Sequence, residues 1–294
     1  MNNIIKVKYG MGWIPDKPDH RDYTMKHPTI SHLLTKIGIV KKDPIPTTPP
    51  TRVDLREWCS PIENQGDLGS CTANSGAGLI EYFERRAFGK YFNGSRLFLY
   101  KVTRNLMGLS GDTGAEIRST IGSIVMLGIP PEKYMPYDTK NYDNEPTAMC
   151  YALAADYKAV KYLRLDTPNI AKNDLLTKIK INIAAGIPSM FGFTVYESYK
   201  QAENDGKIPF PSTNENQVGG HAIVAIGYDD SMVTTNNIDK KSTTGAFLIR
   251  NSWGTKWGNG GYGNLPYEYV LQELAMDWWT LISTNWIDTG NFGF

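Results

Sequence analysis

The chain reads as an α+β protein, helices gathered in its first half and antiparallel strands in its second, with a cleft expected between the two. Three observations predict this. Apolar residues recur at helical spacing at Ala73, Ala77, Ile80, Phe83 and Ala87, and again at Leu97, Leu99, Tyr100 and Val102. Past Ile187 the pattern changes to short apolar, β-branched runs such as Ile223–Val224–Ala225–Ile226 and Phe247–Leu248–Ile249. No repeat links the halves, so the helical material comes first and the sheet second.

Residues 1 to 51 differ from the remainder of the chain. Gly10-Met11-Gly12-Trp13-Ile14-Pro15-Asp16 is turn-rich, Asp19 to Tyr23 is charged, and only Ile30 to Val40 has the makings of a short helix. Pro44 to Thr51 is a proline linker and must be extended. This segment is either a short prosegment or an arm packed permanently on the surface, and the main domain spans 52–294. Within it, residues of about 60–155 form the helical lobe and about 156–282 the β lobe, with terminal segments exchanged between them. The first long helix starts at Cys71 and stops at Gly89, and others cover about 96–106 and 115–127. Tyr157 to Leu165 alternates like a strand, Asp174 to Ala185 is helical, and strands begin at Ile187. The polar stretch from Asp229 to Thr244 reads as an enlarged surface loop between two strands.

Chemistry concentrates at Gln65-Gly66-Asp67-Leu68-Gly69-Ser70-Cys71, where a glycine-punctuated loop turns into a helix. The first-turn N–H groups there have no intrahelical partners and carry the positive end of the dipole, so a thiolate is favoured. Far along the chain, Gly219-Gly220-His221-Ala222 sets an imidazole at the start of a buried strand. It is the only histidine after His32. Its neighbours are apolar, so the ring needs partners. A third block, Arg250-Asn251-Ser252-Trp253-Gly254, is followed by Trp257 and Gly261-Tyr262.

In this order and combination, from about Val53 to Ile282, the chain resembles the papain-like (cathepsin-type) cysteine peptidases. The resemblance implies a two-lobe fold, a helical lobe against an antiparallel sheet or barrel, with the active site between them. It implies Cys71 as nucleophile in a thiolate–imidazolium pair with His221, Asn251 holding the imidazole, Gln65 donating to the oxyanion, and Trp253 shielding the His221–Asn251 bond. It further implies that Gly114, in the strip 111–117, pairs with extended substrate. Ala115, Gly219 and Ala222 would line the main side-chain pocket, whose floor falls in Leu274 to Asp277, and Gly220 and Trp253 would also contact substrate. Small, uncharged walls suit an apolar or aromatic side chain, and the floor residue is Met276 or Asp277. Thr72 and Leu68 replace the family's usual aromatic and cysteine. The pattern is closer to bacterial and viral members with a short prosegment than to lysosomal cathepsins.

Composition limits the partners. A formal net charge of +1 over 294 residues gives no electrostatic case for nucleic acid or anionic membrane. No stretch approaches the ~20 apolar residues of a spanning helix, and lysines interrupt the N-terminal apolar run, so neither a membrane anchor nor a secretory signal is expected. The chain is read as a soluble monomer, cytoplasmic or released by a non-classical route, needing no cofactor or metal. Three cysteines are too few for a disulfide framework; Cys59 and Cys150 either pair or stay free. The function expected is a peptidase acting on peptide or unfolded protein, and a zymogen if the arm lies in its own cleft. The alternatives are a catalytically silent peptide- or protein-binding member and an acyl transferase using the same dyad.

Overall fold

The computed structural model describes residues 8–40, 48–158 and 161–294. The N-terminal apolar run up to Val7, and the first half of the proline linker, lie outside them. Helix α1 (Pro28–Lys36) is followed by β1 (Arg52–Asp54), α2 (Cys71–Phe88), α3 (Arg96–Leu106), α4 (Ile117–Met126) and α5 (Ala148–Ala154). Then come β2 (Lys161–Arg164), α6 (Lys172–Ala184), β3 (Ser189–Tyr196), β4 (Gln217–Thr235), β5 (Ser242–Arg250) and β6 (Tyr262–Pro266). The chain closes with α7 (Glu268–Leu271), β7 (Ala275–Ile282) and α8 (Thr284–Ile287). Helices α2 to α5 precede strands β2 to β7, as the change of period predicts, while β1 comes before them and α6 to α8 fall among and after the later strands.

Helix α2 is the spine. Nearly every side chain on it is buried, including Ser75 and Glu81, and its glycines Gly76 and Gly78 are buried with them. Its small residues let neighbours approach on opposite faces. A Cβ at Gly76 would sit 3.1–3.3 Å from Ile124, Thr120 and Leu99 of α4 and α3, and one at Gly78 would lie 2.1 Å from the Arg250 guanidinium of β5. Helix and sheet are thus in direct contact along α2. Ser75 Oγ donates to the Ala222 carbonyl at 3.0 Å, tying the helix that carries Cys71 to the strand that carries His221.

The sheet has seven strands in the order β2-β7-β3-β4-β5-β6, with β1 also on β4, and every pairing is antiparallel. No pairing joins the two edge strands among the described residues, so it is an open sheet and not a closed barrel. The stretch expected as a surface loop between Asp229 and Thr244 is mostly strand. β4 and β5 run on past it, with Thr234–Thr243 and Thr235–Ser242 hydroxyl pairs at 2.8 Å, leaving a tip of residues 236–241. Cys59, Cys71 and Cys150 are all free and buried, which removes the Cys59–Cys150 bridge from the two possibilities.

The apolar face of α1 is part of the core: Ile30, Leu33, Leu34 and Ile37 are buried. It packs on α8, with Lys36 paired to Asp288 at 2.8 Å. Trp286 of α8 in turn stacks on Phe83 of α2 with ring centroids 4.7 Å apart, so α1 is joined through α8 to the spine.

Candidate active site

Cys71 is the first residue of α2 and is fully buried. The loop before it is pinned from the helical side. The Gly69 amide donates to both Asp112 carboxylate oxygens at 3.0 and 3.2 Å, and Ser70 Oγ meets the Tyr137 hydroxyl at 2.6 Å. Burial pushes the Cys71 thiol up to about 11, against the pull of the Ala222, Gly12, Thr72 and Cys71 amides, which favour the thiolate.

His221 lies on β4, opposite Phe193 of β3, and is fully buried. Its Nε2 is 2.8 Å from Asn251 Oδ1, which also accepts from the Ser252 amide at 2.8 Å. An amide oxygen only accepts, so Nε2 carries the proton and the neutral ring leaves its lone pair on Nδ1. Nδ1 has no hydrogen-bond partner among the described residues. Trp253 stacks on the imidazole at 4.4 Å between centroids and covers the bond to Asn251. Burial drives the His221 pKa down to about 4, opposed by the Asn251 contact. Burial thus disfavours the charged form of both the Cys71 thiol and the His221 ring while the arm is seated.

What closes the site is the N-terminal arm. The segment expected to be turn-rich runs extended through the cleft. Gly10 N–H donates to Gly66 O (2.9 Å), Trp13 N–H to Gly220 O (3.2 Å) and Ile14 N–H to Ala115 O (3.0 Å), while Gly12 O accepts from Ala115 N–H (2.7 Å). The Gly10 carbonyl takes the Gln65 Nε2 donor at 3.1 Å and the Trp253 indole N–H at 3.4 Å. Gln65 is itself locked, with Nε2 also on Leu68 O at 2.9 Å and Oε1 accepting from Ser252 Oγ at 2.6 Å. Tyr9 stacks on Trp253 at 4.7 Å. The two glycines are required: a Cβ on Gly10 would meet Leu68 O at 2.3 Å, and one on Gly12 would meet Gly69 O at 2.0 Å.

Of the strip expected to pair with an extended chain, Ala115 makes both backbone bonds to the arm. Gly114 does not, because its amide is taken by the Tyr100 hydroxyl at 3.1 Å. Gly219 faces Met11, Gly220 bonds to Trp13, and Ala222 is buried against Cys71. The Trp13 indole lies directly on Gly192 of β3, where a Cβ would come within 1.9 Å of the ring, and its Nε1 donates to Asp277 at 3.1 Å. Of the two floor candidates, Asp277 and not Met276 is the one that meets the Trp13 indole. It is fully buried at φ +59, accepts from the Asp16 amide at 2.8 Å and pairs with Arg164 at 2.8 Å. Burial raises its pKa to about 6 against the pull of Arg164. Gly192, Trp13 and the Arg164 partner escape a reading of the sequence. The alternation of Gly10 and Gly12, both on one side of an extended strand, is the signal that could have shown the arm's close approach.

A family model described as papain family cysteine protease matches residues 49–273. An uncharacterized peptidase C1-like protein of Acanthamoeba polyphaga mimivirus is 34% identical over 291 residues, 94% of this chain and 87% of that protein. Among solved structures, xylellain, a cysteine protease from Xylella fastidiosa, superposes with a TM-score of 0.72 at 32% identity, covering 96% of this chain and 99% of the other. Peptidase 1 of Euroglyphus maynei is more distant, 29% identical over 73% of this chain and 60% of its own length. Likeness to a viral and a bacterial member agrees with the pattern of the motifs. With the match spanning most of the chain, and the family's order of Gln65, Cys71, His221 and Asn251 kept, this protein belongs to the papain family of cysteine proteases.

Proposed function

We propose that the chain is a cysteine endopeptidase held latent by its own N-terminal arm. The observation that supports this most is the Nε2–Oδ1 bond between His221 and Asn251, because it leaves Nδ1 as the basic nitrogen at a site shared with the Cys71 thiol. Once the arm is displaced and water enters, the Cys71 proton passes to Nδ1 and the thiolate forms. The sulfur attacks a peptide carbonyl carbon, and the developing oxyanion takes the place now held by the Gly10 carbonyl, where the Gln65 Nε2 donor already points. The C–N bond breaks as His221 gives its proton to the leaving amine. Water, deprotonated by His221, then releases the acid and restores the thiol.

The substrate is an extended or unfolded peptide, a reading supported by the extended backbone of the arm that now fills the cleft. The walls at Ala115, Gly192, Gly219, Gly220 and Ala222, with Asp277 beneath, favour an aromatic side chain, above all one with an N–H to donate. The test is cleavage of an unfolded protein under reducing conditions by a chain whose arm is evicted with Gly12→Ala, where the added methyl would meet the Gly69 carbonyl, and by the same chain carrying Cys71→Ala. Loss of all cleavage in Cys71→Ala is expected, and retained cleavage would refute the assignment.

A further inference from the structure

The arm is held to the rest of the molecule in two different ways, and the change falls between Pro15 and Asp16. From Tyr9 to Pro15 there is no charged side chain. That piece is held by backbone hydrogen bonds to Gly66, Ala115 and Gly220, by Gln65 and Trp253 on one carbonyl, and by one indole in one pocket. Every one of these contacts is of a kind that an extended peptide substrate makes.

From Asp16 onward the contacts are ones that only this segment makes. Arg118 of α4 reaches the Asp16 carboxylate at 2.7 Å, the Lys17 carbonyl at 2.6 Å and the Asp22 carboxylate at 3.0 Å. Arg164 of β2, itself buried, donates to the Asp16 carbonyl at 3.1 Å and forms an ion pair with Asp277 at 2.8 Å, and its backbone amide bonds to the Tyr23 carbonyl at 2.8 Å. Tyr23 therefore sits on the edge of β2. Further on, Ile30 and Leu34 of α1 are fully buried. Removing this part would open apolar core and leave Arg118 without the carboxylates it reaches, Asp16 and Asp22.

We infer that the arm consists of a displaceable tongue ending at Pro15 and a strap, residues 16–40, that stays in place as a structural part of the active peptidase, with Arg118 and Arg164 riveting the strap at the hinge. The inference rests on the latent-peptidase proposal, since it locates the moving part of that latency. It places the boundary of the latent state near residue 15, well before the start of the main domain near Val53. Activation then needs only the tongue to leave the cleft, whether it swings out or is cut off. The strap residue Pro18 remains beside the site, on the wall of a cavity of about 430 Å³ that it shares with Asp166, Ala275 and Met276.

The test uses the full chain and its Gly12→Ala variant. The added methyl would collide with the Gly69 carbonyl, so it evicts the tongue while leaving every residue of the cleft and strap unchanged. Two readouts are taken together: the rate of Cys71 alkylation by iodoacetamide, and hydrogen exchange followed by mass spectrometry over residues 8–15 and 28–37. Neither requires turnover. The expected result is alkylation faster by about tenfold to a hundredfold, lost protection in 8–15, and unchanged protection in 28–37. Loss of protection in both segments would overturn the division into tongue and strap while leaving latency standing. If neither readout changes in Gly12→Ala or in Gly10→Ala, the tongue is not seated in the cleft, and the inference fails with the latency. Faster alkylation without any peptide cleavage would support the division and count against the peptidase reading alone.

Discussion

Replacing Trp13 by Ala tests the strength of the closed state. The indole is only 6% exposed, lies on Gly192 and donates from Nε1 to Asp277 at 3.1 Å. Truncating a buried aromatic to Ala typically costs about 3–5 kcal/mol. When the tongue is out, Trp13 is in water, so the loss falls on the closed state alone. At about 1.4 kcal/mol per factor of ten, the closed-to-open ratio should drop by about 10² to a few times 10³. The assay is the pseudo-first-order rate of Cys71 modification at pH 7 by an epoxide thiol trap, measured beside the melting temperature. The modification rate should rise by that factor, or to the plateau of a fully open cleft, and the melting temperature should fall by what the closed state adds to folded stability, about 2–4 °C per kcal/mol lost. Trp13→Phe, which keeps a ring but loses the bond to Asp277, should fall between the two. A Trp13→Ala protein modified no faster than the parent would mean that the largest side-chain contact of the tongue contributes nothing to closure, and the closed state would need another cause.

Further outcomes are expected from the same geometry. Titrating the thiolate by its ultraviolet absorbance, with Cys71→Ala as the blank, should give a midpoint near 11 in the full chain, because burial favours the protonated thiol. In Trp13→Ala water and a protonatable His221 become available, so the midpoint should move down; an unchanged midpoint would break the link between closure and thiol ionisation. With the tongue evicted, Asn251→Ala should lower kcat by about tenfold or more, the worth of a hydrogen bond that holds the imidazole in its productive tautomer, and change KM little. A pure KM effect would show that Asn251 serves binding instead.

The residues of the candidate site are legible in the sequence because each sits in a local pattern with a physical meaning. Cys71 opens a helix after a glycine loop, His221 begins an apolar strand, and Asn251 precedes a run of tryptophan and glycine. Their meeting is a matter of packing: Ser75 reaching Ala222, and Gly78 making room for Arg250, have no signature that stands out from one sequence. The floor residue is ambiguous between Met276 and Asp277 for a definite reason. The β3–β7 register shifts between Met190 and Gly192, and Asp277 takes a left-handed φ, so the simple alternation of a strand fails there. The β4–β5 hairpin reads as a loop because its residues are polar, although Val233-Thr234-Thr235 and Ser242-Thr243-Thr244 have the β-branched character of a solvated two-strand ribbon. A similar ambiguity hides the tongue. Glycines separated by one residue suit a turn, but they equally suit an extended strand pressed against another backbone, and only the partner surfaces at Leu68 and Gly69 decide between them.

If the proposed function holds, substrate acylates the sulfur of Cys71 once the tongue is out. Acid-quenching Trp13→Ala during turnover of an unfolded protein, and mapping the thioester by mass spectrometry, would capture that intermediate. The amino-terminal product fragment should be found on Cys71, and cleavage should vanish when Cys71→Ala is added to the same chain. Turnover that survives in that double variant, or acyl groups found on Cys59 or Cys150 in place of Cys71, would rule the proposed chemistry out.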